Sequence, residues 1–212
     1  LVSATGLSLS GADDGNYTVN NSAATTADIT PLALTGSFTA DNKVYDNTTG
    51  ATISSRSLLG VLGADVVSYN GGTATFSDKN IGTAKTVNGA GFGIVGVDAG
   101  NYTVNTTANT TADITELAII GSITADNKAY DNNANATIAT RTLTGVLGAD
   151  VVSYVGGTAT FDNDNVGTGK TVTGVGLSLS AADALNYSVN TTAITLADIT
   201  SPNSSGGGGR RP

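Results

Sequence analysis

NYTVNTTANTTADIT, residues 101–115, is the stretch whose reading decides the fold. Tyr102, Val104, Thr106, Ala108, Thr110, Ala112 and Ile114 fall on one face, and Thr103, Asn105, Thr107, Asn109, Thr111 and Asp113 on the other. A period of two sustained this long predicts a half-buried strand, or a kinked pair of strands. The pattern returns at Tyr187–Ile199 and at Tyr17–Ile29, and Leu32, Leu34 and Phe38 carry it onward after a short connection. Further strands are expected at Ala51–Ile53, Asp65–Tyr69, Thr73–Phe76, Lys85–Val87 and Phe92–Ile94, each followed by Gly, Asn or Asp turn residues. Ser57–Leu62 and its copy Thr142–Leu147 are the only candidates for a helical turn.

The recurrence belongs to a repeat with an offset of 85 residues. GSFTADNKVYDN begins at Gly36 and GSITADNKAYDN at Gly121, while GVLGADVVSY begins at Gly60 and again at Gly145. Residues 31–115 align with 116–200 without a gap, and 55 of the 85 positions are identical. Residues 1–30 match the end of the same unit, so they read as the C-terminal part of a truncated repeat, with Leu1 expected to mark a cut from a longer array. Residues 201–212 read as a disordered Gly/Ser-rich tail. The expected fold is all-β: tandem, sandwich-like repeats of about 85 residues arranged as an elongated rod. The expected core of a unit is Ile53, Leu58, Val61, Leu62, Val66, Phe76, Val87, Phe92, Ile94, Tyr102 and Val104. Exchanges between copies agree with it: Phe92 becomes Leu177 and Ile81 becomes Val166, whereas Leu59 becomes Thr144 and Val95 becomes Ser180. Apolar replacements mark buried sites, polar ones exposed sites.

Composition narrows the function. The chain has no His, Cys, Met or Trp, and Glu116 is its only Glu. The commonest general base, the thiolate nucleophile and the usual transition-metal ligands are therefore absent, which points away from an enzyme. A net charge of −8 with scattered Lys argues against nucleic acid as a partner. No apolar run approaches the roughly 20 residues of a bilayer span, so membrane insertion is not expected. Disulfides cannot stabilise this chain, and the lack of Cys fits a bacterial surface protein.

The segment Lys43-Val44-Tyr45-Asp46-Asn47-Thr48-Thr49 and its copy at Lys128, Tyr130, Asp131 and Asn132 resemble the Lys-x-Tyr-Asp-Gly-Thr-Thr signature of the bacterial YDG domain. The resemblance extends over Gly60–Asp65, over Asn80–Val87 and over the closing Asp98-Ala99-Gly100-Asn101-Tyr102-Thr103-Val104. It implies a β-rich stalk or spacer repeat of secreted adhesins and similar filamentous surface proteins, outside the cell. Asn47 and Asn132 replace the motif's Gly, and Asn tolerates positive φ next best. The motif is expected to be structural, with Tyr45 packed at a unit edge and Asp46 accepting backbone N–H groups in a turn. Neighbouring repeats are the expected partners. Identical chains that add strands, and surface glycans bound through avidity, are the alternatives. No cofactor is expected. Calcium is the one candidate ion, through Asp41, Asp46, Asp65, Asp78 and Asp98, although no EF-hand or nonapeptide loop is present. Lys43 and Lys85 lie near enough Asn and Asp for a covalent cross-link to be considered. Asn105 and Asn190, placed on the solvent face, are the best of many glycosylation triplets.

Overall fold

The computed structural model describes residues 1–202, so most of the expected tail lies outside the described residues. Strands β1 (Val2–Thr5) and β2 (Ser22–Thr25) form an antiparallel ribbon ahead of the first unit. Unit one contains β3 (Leu32–Ala40), β4 (Lys43–Val44), β5 (Gly50–Ala51), β6 (Ile53–Leu59), β7 (Ser68–Phe76), β8 (Gly82–Val95), β9 (Tyr102–Val104) and β10 (Thr107–Thr115). Unit two repeats the set as β11 (Leu117–Ala125), β12 (Lys128–Ala129), β13 (Asn135–Ala136) and β14 (Ile138–Thr144), then β15 (Ser153–Phe161), β16 (Gly167–Ser180), β17 (Tyr187–Val189) and β18 (Thr192–Thr200). The described residues contain no α-helix, only three short 3-10 turns.

Each unit has two curled sheets. In unit one the orders are β6-β3-β9 and β4-β10-β8-β7-β5, and unit two reproduces both. The stretch at 101–115 is the kinked pair: β9 joins the first sheet parallel to β3, and β10 joins the second antiparallel to β8. Asn105 fixes the crossing point. Its side chain accepts from Gly36 N–H at 2.7 Å and donates to the Gly36 and Thr107 carbonyls at 3.0 and 2.7 Å. Asn190 does the same around Gly121. Both amides are thus engaged in the fold, Asn105 being half-buried and Asn190 still exposed at the surface.

The sheets meet over an aromatic core. In unit one Tyr69 stacks on Phe92 at 4.8 Å, and Phe38 lies 5.2 Å from the same ring. Gly36 leaves room for Tyr69, since a Cβ there would stand 2.3 Å from the ring; Gly121 does so for Tyr154. Unit two replaces Phe38 and Phe92 with the smaller Ile123 and Leu177, both buried, so the site stays apolar while the ring stacking is lost.

Three local expectations need correction. Ser57–Leu62 and Thr142–Leu147 do not form a helical turn, because β6 runs through Leu59 and β14 through Thr144. Pairing of β6 with β3 and of β14 with β11 satisfies their backbone groups, and the Ser37 and Ser57 hydroxyls bond across the ladder at 2.7 Å. Lys85–Val87 and Phe92–Ile94 are parts of one strand, β8, while the strand expected at Asp65 begins only at Ser68. Leu62 and Val66 are not core: they lie in the loop between β6 and β7 and are 60% and 58% exposed. The core instead includes Leu34, Phe38, Tyr45, Tyr69 and Ile114, which that expected list omits.

Candidate functional site: the joint between repeats

The Tyr-Asp-Asn motif does two jobs, and the structure separates them. Lys43 and Asp46 act within their own unit. The Asp46 carboxylate accepts from Lys43 at 2.7 Å and from the Thr48 N–H and hydroxyl at 2.9 Å each, closing the turn as expected. Asn47 sits in that turn at φ 63° and Asn132 at φ 60°, the conformation for which Asn substitutes for Gly. The Lys43 ammonium also lies 5.5 Å from the centre of the Phe76 ring. Lys128, Asp131 and Phe161 repeat the arrangement in unit two.

Tyr45 and Asn47 face the other way, into unit two. Tyr45 is 1% exposed, and its ring meets Tyr187 edge-on at 5.4 Å. Its hydroxyl donates to Asp150 Oδ2 at 2.7 Å, and the Tyr187 hydroxyl donates to the same oxygen at 2.6 Å. Lys79 donates to Asp150 Oδ1 at 3.1 Å and to Asn47 Oδ1, with its ammonium 5.9 Å from the centre of the Tyr45 ring. Beside this cluster, Asn186 accepts from Ile81 N–H at 3.1 Å and donates to Asn80 Oδ1 at 3.2 Å. Asn186 is the one buried polar residue among those described. Gly148 permits the close approach, because a Cβ there would stand 3.1 Å from Asn47 Nδ2.

The carboxylate at the centre of the joint is electrostatically set. Burial pushes Asp150 upward, but hydrogen bonds from Tyr187, Tyr45 and Lys79 outweigh it and hold the carboxyl below its ordinary value. Burial and then the bond to Asp150 push Tyr187 up to about 12, and Tyr45 is raised for the same reasons. The bonds to Asp150 and Tyr45 raise Lys79. A tyrosine–carboxylate–ammonium cluster of this kind clamps two surfaces together.

The five Asp considered for calcium have other partners or none in common. Asp78 pairs with Lys85 at 2.8 Å, Asp65 accepts from the Tyr102 hydroxyl, and Asp98 accepts from Val66 N–H at 2.8 Å. Among the described residues no three acidic side chains converge. Lys43 and Lys85 are taken up by Asp46 and Asp78 as ion pairs, each with a half-exposed carboxylate.

Of the eight motif residues read from sequence, Tyr45 and Asn47 reach the joint, whereas Tyr130 and Asn132 form the same arrangement at the opposite end of unit two, where no second unit covers them among the described residues. Sequence reasoning missed Lys79, Asn80, Asp150 and Asn186. Asp150 and Asn186 belong to stretches retained in both copies, Gly145–Asp150 and Asp183–Val189, which was the available signal; Lys79 carried none, since its counterpart is Asp164.

These features define an all-β tandem-repeat protein whose repeated motifs meet across the boundary between units. The model of the YDG domain matches residues 30–112 and 115–195, and the chain belongs to this family. No curated protein and no solved structure matches it.

Proposed function

We propose that the chain is a structural stalk or spacer segment of a secreted bacterial adhesin or filamentous surface protein, its sandwich-like units stacked as a semi-rigid rod. The observation that carries this reading is the joint. Only Glu116 separates β10 from β11, and across the boundary lie the Asp150 cluster and one apolar cluster that runs from Phe76 and Ile114 to Ile119 and Tyr187. A stack of this kind gains length in proportion to the number of units, and each unit touches only its neighbours. The catalytic poverty of the composition agrees with a mechanical role.

The alternative of repeat-borne glycan binding draws on one observation, a groove of about 550 Å³ beside Arg56 that recurs at about 590 Å³ beside Arg141. Gly, Ala, Thr, Ile and Arg line the first groove, and Asn135 joins them in the second. Neither offers an aromatic face on which a sugar ring would stack, so the stalk reading is preferred.

Small-angle scattering tests the proposal. An elongated particle of narrow, constant cross-section is expected; a compact profile or a broad hinge ensemble would defeat it.

A further inference from the structure

Unit two carries the same joint-forming face as unit one at its far end, with one change of charge. Tyr130, Asn132, Asn165 and Val166 stand where Tyr45, Asn47, Asn80 and Ile81 stand, but Asp164 replaces Lys79. The face is already arranged for docking: the Tyr130 hydroxyl donates to Asn132 Oδ1 at 3.1 Å, and the Tyr45 oxygen keeps the same place 3.3 Å from Asn47 Oδ1 while its proton goes to Asp150. In the formed joint the residue at this position meets a carboxylate, Asp150. The corresponding end of unit one also presents a carboxylate, Asp65, bonded to Tyr102 as Asp150 is to Tyr187. Both receiving ends in this chain are therefore acidic, and Asp164 would set like charges against either of them.

We propose that the residue at position 79 or 164 is a charge key for repeat-to-repeat docking. The Tyr130 face is an interaction surface for a YDG-type unit end that carries Lys or Arg where this chain carries Asp65 and Asp150. It refuses the acidic ends of this chain itself. Specificity of this kind uses repulsion of wrong partners as much as attraction of the right one. The key sorts faces by charge: Lys79 accepts an acidic end such as that of Asp150, and Asp164 selects an end of opposite charge. The inference rests on the stacked-repeat reading, but the two fail differently. A wild-type chain that bends freely defeats the stack, whereas a rigid wild type indifferent to charge at position 79 defeats only the key.

The formed joint supplies the test, because K79D writes the unit-two face into it. Asp164 shows that the unit fold accepts Asp at this place, and circular dichroism checks that both units remain folded. Nitration by tetranitromethane, mapped by peptide mass spectrometry, reports whether Tyr45 is covered. In the wild type Tyr45 is expected to react at least about tenfold more slowly than Tyr130, and in K79D the two rates converge as like charges set against each other at Asp150 open the joint. K79R, which keeps the charge and leaves Asp150 as acceptor of both tyrosine hydroxyls, keeps the protection, and K79A falls between. Unchanged protection in K79D, loss of protection in K79R, or a K79A rate equal to that of K79D would each overturn the proposal.

Discussion

Tyr45 and Tyr130 occupy the same place in two copies of one unit, yet Tyr45 is 1% exposed and Tyr130 is 38% exposed. Their local turns are alike down to the bonded Asn and the Lys–Asp pair. The difference comes wholly from what lies beyond the unit. The receiving ends show the same contrast: Leu62 is exposed while Leu147 packs into the joint, and Asn101 is exposed while Asn186 is 4% exposed. Gly148 faces Asn47, and Gly63 faces open space. A residue's burial in a tandem array is therefore a property of the pair of units, and each residue type at the motif answers either to its own fold or to its neighbour.

The largest effect should come from removing the two rings. Y45A deletes a fully buried ring and leaves Asp150 short of a donor, which should cost about 3–5 kcal/mol in urea unfolding of the whole chain. Y130A removes the same ring where no neighbour covers it and should cost roughly 1 kcal/mol or less. Equal losses would mean that Tyr45 is held by its own unit alone.

Acid and base should loosen the joint from opposite sides. Asp150 has a folded pKa below its ordinary 3.8, so its contribution is full above that value and is lost as pH falls through the depressed folded one. Tyr187 is raised from 10.0 to about 12, so its contribution is full below pH 10 and is lost as pH rises towards 12. D150N should remove much of the acid response of Tyr45 protection, while the pairs Lys43–Asp46 and Lys128–Asp131 still titrate within their own units. An acid profile that D150N leaves unchanged would place the response outside the joint.

Period-two alternation, the offset of 85 and the Asp46 turn were all legible because each is local: a strand face, a repeat and a side chain bonded two residues away. Leu62 and Val66 misled for the converse reason, since apolar character says nothing about whether a loop or a strand carries it. The helical reading of Ser57–Leu62 failed because cross-strand pairing with β3 overrode a weak local pattern. Asn105 looked solvent-facing by alternation, but it sits where the chain changes sheets, and a kink breaks the parity on which alternation depends. The joint was half visible. Its Tyr and Asn belong to a recognisable motif, but their partners Asp150 and Asn186 lie 105 residues away or one more, and no spacing rule links them.

Rates of tyrosine nitration in the wild-type chain, resolved residue by residue, test the joint most directly. The account predicts that Tyr130 and the exposed Tyr17 are modified readily while Tyr45 stays protected until the units separate or unfold. Modification of Tyr45 at the rate of Tyr130 under native conditions would contradict it.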